Sequence, residues 1–343
     1  MRRAPLGKGR YQADRACWCG RRTGSSSSRC AHGSLAARVI LAAGGTASVV
    51  EEPFVQGDGP VLPDPAGRPT AVVGAGTLGR RIALMLTARG GEVRISDPDA
   101  EQREAAVQYV TGALAEVVRQ VEGGRAGQVT ATADLASAVA GAWLVVEATP
   151  ERLDLKLQVF ERLDRLADAD AVLATNSSSY PSSRLVDAVR RPERLVNTHF
   201  YMPPERTAVE VMSCGRTDPG VIALLLRELP AYGLRPFHVR RESVGFIYNR
   251  IWAAIKREAL AVVEEGVATP QEVDELFGLN LGTSRGPFRR MDAVGLDVVL
   301  DIEEHYAVER PGLPEGPRRL LREMLAAGRL GDKSGGGFYD AAD

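Results

Sequence analysis

Lysine is nearly missing from this chain. Of 43 basic residues only Lys8, Lys156, Lys256 and Lys333 are lysine. With abundant Ala and Gly, this skew toward arginine reads as GC-rich coding, and it makes each lysine beyond the tail informative. Cysteine is also scarce. Cys17, Cys19 and Cys30 lie near the start, and Cys214 stands alone in the body. A single body cysteine excludes an internal disulfide there and suits a reducing, cytoplasmic compartment. No apolar run is long enough to span a bilayer, which argues against a membrane protein. Histidine occurs four times, and only His199, His238 and His305 fall in the body.

The formal charge of -1 hides an asymmetry. Residues 1–50 carry nine bases and one acid, Asp14, leaving 34 bases against 43 acids for the remainder. An acidic body gives no nucleic-acid footprint. Residues 1–68 show a Ser25–Ser28 run, scattered Gly and Pro, and no sustained helical or strand period. They read as a disordered tail or as a start assigned too far upstream, and an Arg-rich, acid-poor opening also resembles a transit peptide. No Met lies between Met1 and Met85, so a later start would use a non-Met codon, with Val39, Val49 and Val50 as candidates. Cys17, Cys19, Cys30 and His32 do not have standard zinc spacing, and no metal site is expected.

Order is expected from Pro69. Thr70-Ala71-Val72-Val73 reads as a short buried strand, followed at once by Gly74-Ala75-Gly76-Thr77-Leu78-Gly79. Leu78, Ile82, Met85 and Leu86 then recur at helical spacing until Gly90-Gly91. A GxGxxG between strand and helix is a dinucleotide turn. Gly74 permits the tight turn, Gly76 lets the backbone approach a pyrophosphate, and Gly79 lets helix and strand pack closely. The next strand, Glu92–Ser96, ends in Asp97. An acid there hydrogen-bonds the adenosine ribose and repels a 2′-phosphate, selecting NAD over NADP. As a plain turn residue before Pro98 it would leave the three-part pattern unexplained.

Further strands are expected at Trp143–Ala148, Ala171–Thr175 and Leu195–Thr198, with helices between them, one spanning roughly 99–122. This is the pattern of a parallel sheet with its ligands at the carboxyl ends of the strands. Glu151, Ser178 and His199 fall just past such ends. Glu210 lies 11 residues after His199, in a strand-like run that returns after Pro203-Pro204. A carboxylate on one ring nitrogen fixes the histidine tautomer and raises the basicity of the other nitrogen. Such a pair can take the proton of an alcohol while hydride leaves its carbon.

These motifs resemble the 3-hydroxyacyl-CoA dehydrogenase family. They are the glycine turn, Val146-Glu147-Ala148…Glu151…Lys156, Asn176-Ser177-Ser178-Ser179, His199-Phe200-Tyr201…Pro204, Gly245-Phe246-Ile247-Tyr248-Asn249-Arg250, Gly286-Pro287-Phe288…Asp292, Gly295-Leu296-Asp297 and Lys333-Ser334-Gly335…Gly337-Phe338-Tyr339. They run in family order over about residues 69–341. The resemblance implies an N-terminal Rossmann-type parallel-sheet domain (69–241) and an all-α C-terminal domain (242–343) that forms a homodimer and closes over a small-molecule substrate. It implies His199 as general base, Glu210 as its orienting partner, and Ser178 and Asn249 as donors to the substrate oxygens. Gly74, Gly76, Thr77, Leu78, Gly79, Asp97, Glu151, Lys156 and Asn176 would hold NAD, with Glu151 and Lys156 on the nicotinamide-side ribose. The simpler alternatives are a solvated charge at Lys156, a loop cap at Ser178 and a helix bridge at Asn249.

The chain also departs from the family. Met202 replaces the usual Asn three residues after the histidine, and the loop to Glu210 is about one residue short. Segment 99–133 is shorter than the helical hairpin whose lysines help hold CoA. It contains no lysine, although Arg103, Arg119 and Arg125 remain for phosphates. A 3-hydroxyacyl-CoA and a free 3-hydroxy acid, as in gulonate or carnitine dehydrogenases, are both compatible substrates. A different class, a non-catalytic NAD-binding crystallin, would not need the Ser178, His199, Glu210 and Asn249 set. Dehydrogenases of the phosphogluconate type use a lysine base, and no lysine lies near His199 or Asn249. From Ser243 the chain reads as helical. The stripe Phe246, Ile247, Ile251 and Ile255 is expected in the core, and Thr269-Pro270-Gln271-Glu272 opens a further helix.

Overall fold

The computed structural model describes residues 61–340. The chain begins with β1 (Thr70–Val73), the glycine turn and α1 (Thr77–Thr87), then β2 (Glu92–Ser96) and α2 (Ala100–Gln120). β3 (Gln128–Thr132), α3 (Leu135–Val139), β4 (Leu144–Glu147), α4 (Leu153–Leu166) and β5 (Val172–Thr175) follow. β6 (Leu195–Phe200), β7 (Ala208–Ser213), α5 (Pro219–Glu228) and β8 (Arg235–Val239) complete one sheet. Its order is β3-β2-β1-β4-β5-β6-β7-β8. The first six strands are mutually parallel, and β7 returns antiparallel to β6.

The central strands are continuous apolar runs because helices cover both faces. β1, β4, β5 and β6 are buried throughout. One face packs α1, α2 and α5 through Ile82, Leu86, Val110 and Leu225. The other packs α3 and α4 through Leu135, Phe160 and Leu163. Chain direction diverges between β1 and β4. That switch point opens a crevice at the carboxyl ends of the strands, and the glycine turn sits there.

Two strands have no clear sequence signal, and both are at the sheet's edges. β3 reads Gln-Val-Thr-Ala-Thr and is exposed or half-buried throughout. β8 holds Arg235, Pro236 and His238. Edge strands need neither an apolar run nor a full set of donors, so periodicity misses them. His199 lies within β6 rather than past its end. The ordered body also starts before Pro69. Arg68 donates to Gly141 O and to both carboxylate oxygens of Asp170, and Pro63 is buried. The expected tail, with Cys17, Cys19, Cys30 and His32, otherwise lies outside the described residues.

Five α-helices follow among the described residues: α6 (Tyr248–Glu264), α7 (Pro270–Leu281), α8 (Pro287–Val294), α9 (Leu296–Glu309) and α10 (Gly316–Ala326). α7 opens at Thr269-Pro270 as the sequence predicts, and the structure adds a reciprocal capping box between Thr269 and Glu272. The core here is Leu260, Phe288, Met291, Leu296, Val299 and Leu321. The stripe expected on α6 is core only in part: Phe246 and Ala259 are buried, but its first two isoleucines are not. Ile247 is 42% and Ile251 55% exposed. The buried face of α6 instead carries Ala253, Lys256, Arg257, Ala259 and Leu260. It tolerates charge because Glu303 of α9 meets Arg257 at 2.8 Å. Among the described residues no helix is long and apolar enough to cross a membrane.

Candidate active site

The glycine turn leaves β1 at the switch point. Gly74 has φ 106°, and a Cβ there would stand 2.5 Å from Ala148 O. A Cβ on Gly79 would collide with the carbonyl of Gly74, whereas one on Gly76 would meet nothing within 4 Å. The first and third glycines are therefore fixed by packing. The second faces open space at the N-terminus of α1, where backbone N–H groups favour an anion. Asp97 closes the turn. Its Oδ2 accepts from Ala75 N at 2.8 Å and its Oδ1 from Asp99 N at 2.9 Å. Gly74, Gly76, Thr77, Leu78 and Asp97 share a cavity of about 640 Å³. These residues fit a dinucleotide: a glycine-lined approach for phosphates and a carboxylate at the far end for a ribose.

A second cavity, of about 420 Å³, continues from the first, with Leu78, Ala148 and Thr149 lining both. Glu151, Asn176, Ser178, His199, Met202 and Asn249 line it. The structure thus gathers Ser178, His199 and Asn249 around one space, and Glu210 reaches it only through His199. His199 and Glu210 are cross-strand partners on β6 and β7. His199 Nδ1 lies 3.0 Å from Glu210 Oε2. Their pairing is a consequence of strand register, so it does not depend on a flexible loop.

Glu210 has more partners than the sequence suggests. Tyr201 Oη donates to it at 2.8 Å, and the N–H groups of Ile247 and Tyr248 donate at 2.8 and 3.0 Å. Burial opposes charge on Glu210, but donation from His199, Tyr201, Tyr248 and Ile247 outweighs it and holds the carboxyl below its usual range. Burial, then Glu210, pushes the Tyr201 phenol upward, so it stays a protonated donor. Phe246 stacks on the imidazole at 4.7 Å and 15°, and Tyr201 meets it edge-on at 4.8 Å. Phe246 has φ 54°, the single non-glycine residue with positive φ among the described residues. This strained joint brings the entry to α6 against both members of the pair. Neither Tyr201 nor Phe246 is singled out by sequence reasoning. The signals available were an aromatic two residues past the histidine and a glycine before the phenylalanine.

Lys156 is not a solvated charge. Its side chain is 1% exposed, with Nζ 2.9 Å from Glu147 Oε1, 3.2 Å from Glu151 Oε2 and 3.3 Å from Thr149 O. Glu147 also accepts from Thr149 and Thr175. Glu151 Oε1 accepts from Ser177 Oγ and from the N–H groups of Ser178 and Ser179, at 2.6, 3.1 and 2.8 Å. Burial works to raise the Glu151 carboxyl, but Lys156, Ser177 and Ser179 win and lower it. The chain Glu147–Lys156–Glu151 thus holds the Ser178 loop in place. Asn176 acts similarly on β6, its Oδ1 accepting from Phe200 N at 2.8 Å.

The expected phosphate arginines are dispersed. Arg103 donates to the carbonyls of Asp97 and Pro98, and Arg119 pairs with Glu116 on α2. Arg125 lines a cavity with Thr70 and Glu92, at the amino ends of the strands. α2 stands as one helix before a short turn into β3, with no hairpin.

A glycine-turn crevice joined to a strand-paired histidine and glutamate defines an NAD-dependent dehydrogenase acting on a CH–OH group. Two family models agree: the NAD-binding domain of 3-hydroxyacyl-CoA dehydrogenase matches residues 69–242, and its C-terminal domain residues 245–341. The chain belongs to the 3-hydroxyacyl-CoA dehydrogenase family. A 3-hydroxybutyryl-CoA dehydrogenase of Mycobacterium tuberculosis is 35% identical over 277 residues, 78% of this chain and 96% of its own. A 5-formyl-3-hydroxy-2-methylpyridine 4-carboxylate 5-dehydrogenase of Mesorhizobium japonicum is 29% identical over 279 residues, 79% of this chain and 90% of its own. A solved structure of the corresponding acid's 5-dehydrogenase, an NAD+-dependent dismutase, matches with TM-score 0.64 and 29% identity, covering 80% of this chain and 90% of that one. A 3-hydroxyacyl-CoA dehydrogenase-like protein of Cochliobolus heterostrophus is 46% identical over 151 residues, 43% of this chain. That match spans 31% of the fungal protein's length.

Proposed function

We propose that the protein oxidises the 3-hydroxyl of a 3-hydroxyacyl substrate, of the acyl-CoA type, to the 3-oxo product. The observation that carries this is the His199–Glu210 pair, facing the cavity that also holds Ser178 and Asn249. Glu210 accepts from Nδ1, which leaves Nε2 free to take the hydroxyl proton. Tyr201 and the two N–H groups keep Glu210 anionic, so the imidazolium formed in the step has a fixed counter-charge. Ser178 and Asn249 donate to the substrate oxygens and to charge developing on them. NAD, when bound, supplies the hydride acceptor. Gly76, Thr77, Leu78 and Asp97 hold its adenosine and phosphate side, while Asn176 and Glu151 face its nicotinamide side. Lys156, buried beneath Glu151, acts by positioning that carboxylate.

A second reading is favoured by one feature: α2 lacks both the hairpin and the lysines that would hold CoA. In it the substrate is a free 3-hydroxy acid. A panel of acetoacetyl-CoA with NADH, then 3-hydroxybutyrate, gulonate and carnitine with NAD, separates the two. Turnover of acetoacetyl-CoA supports the first, and turnover of a free acid alone replaces it with the second.

We also propose that two copies pair through the C-terminal helices. Leu276, Leu279 and Leu281 of α7 and Ile251 of α6 are exposed, and a set of large apolar side chains of this kind is usually covered by a partner. Light scattering at micromolar concentration should give twice the chain mass; a monomer mass rejects the pairing.

A further inference from the structure

A third cavity, of about 390 Å³, adjoins the catalytic one, and Ser178 and Asn249 line both. Its floor is one face of α6: Asn249, Trp252, Ala253 and Lys256, spaced i, i+3, i+4 and i+7. α9 forms the facing wall through Val298, Ile302 and Tyr306, with Asp301 and His305 at the exposed rim. Lys256 is 5% exposed. Among the described residues it has neither a hydrogen-bond acceptor nor a carboxylate within ion-pair distance. Glu303, the nearby buried acid, meets Arg257 through Oε2 at 2.8 Å, while its Oε1 has no hydrogen-bond partner. Two buried cations therefore face one buried anion beside a largely apolar cavity, whose other acid, Asp301, lies at the exposed rim and makes no ion pair with Lys256. Burial disfavours the charge on Lys256 and lowers its ammonium, with Glu303 opposing the shift and Arg257 adding to it. An isolated buried cation is costly unless a partner arrives.

We propose that Lys256 is the anion-recognising residue of the substrate cavity, and that the substrate brings a free carboxylate into it. This rests on the dehydrogenase reading of the adjoining site and narrows its substrate class. Two helical turns put Lys256 about 10 Å along α6 from Asn249. The lysine side chain leans back toward the helix N-terminus. The carboxylate thus lies within about 10 Å of the oxidised carbon. It is either the acid end of a free hydroxy acid or a second acid on the acyl chain.

Two substrate pairs distinguish these sources: 3-hydroxybutyrate against its methyl ester, and 3-hydroxyadipyl-CoA against 3-hydroxyhexanoyl-CoA. The wild-type enzyme should favour the anionic member of one pair by about 10- to 100-fold in kcat/KM, the range of a charge-assisted hydrogen bond. Lys256→Met should erase that preference, leaving the neutral member within a few-fold, and Lys256→Arg should restore part of it. No preference in either pair, or equal loss on both members, overturns the proposal. Thermal shifts give a readout apart from turnover. With NAD present, adipate should raise the Tm of the wild-type protein more than dimethyl adipate does, and Lys256→Met should remove the difference. Equal shifts in the wild type count against it. Without ligand, Lys256→Met should keep or raise the Tm, because a buried charge without an ion-pair partner is gone; a large drop would assign Lys256 to an internal ion pair instead. If His199→Gln keeps full turnover, the dehydrogenase mechanism fails, whatever the carboxylate preference shows.

Discussion

His199 and Glu210 face each other across antiparallel β6 and β7, with Nδ1 3.0 Å from Oε2. Sheet register sets this distance, and Tyr201, Ile247 and Tyr248 fix the carboxylate from its other sides. Glu210→Gln should therefore leave the fold intact but reverse the preference for the Nδ1–H tautomer. Turnover should fall by at least about 100-fold, within the range for general-base catalysis, with NADH affinity unchanged. Fluorescence titration with NADH alongside steady-state rates checks this; unchanged turnover removes Glu210 from the mechanism.

The same carboxylate makes stability depend on pH. Its folded-state pKa is depressed, so its contribution is complete above the unfolded value and is lost as pH falls through the folded one. Glu151 behaves in the same direction. The Tm should decline as pH drops below about 4.3, the ordinary glutamate value. The gap between wild type and Glu210→Gln should narrow over that window. A gap that is constant from pH 7 to pH 3 contradicts the assignment.

Gly76 and Gly79 should separate binding from folding. A methyl on Gly79 runs into the Gly74 carbonyl, while one on Gly76 enters open space. Gly79→Ala is expected to lower the Tm sharply or prevent folding, since neither backbone segment can yield. Gly76→Ala should keep the Tm and lose NAD affinity, because only the bound phosphates need that space. Calorimetry and NADH titration of both variants decide the matter.

Lys156 stands between two acids, and Glu147 is fully buried. Removing one partner of a buried pair leaves an uncompensated charge, at a cost of about 3–5 kcal/mol. Lys156→Met should show that loss in urea unfolding. Glu147→Gln with Lys156→Met should be milder than Lys156→Met alone, and an equal or greater loss in the double variant refutes the pairing.

What could be read in the sequence was local. The strand, glycine turn, helix and Asp97 fall within 28 residues and use residues with special backbone or charge roles. The histidine and glutamate were legible because two prolines and an 11-residue interval fit a strand that returns. Burial of Lys156 was not, since the helix pattern does not show which strand carboxylates lie beneath it. The α6 stripe misled for a related reason. Apolar spacing marks a face but not what covers it, and here Ile247 and Ile251 are exposed while Lys256 and Arg257 are inside. Phe246 and its positive φ escaped because nothing in the sequence demands that joint.

The most direct test is NADH oxidation with acetoacetyl-CoA and NAD reduction with the free-acid panel, comparing wild type with His199→Gln. The wild-type protein should turn over a 3-oxo or 3-hydroxy substrate, and His199→Gln should lose about two to four orders of magnitude while binding NADH normally. Near-normal turnover by His199→Gln would contradict the account.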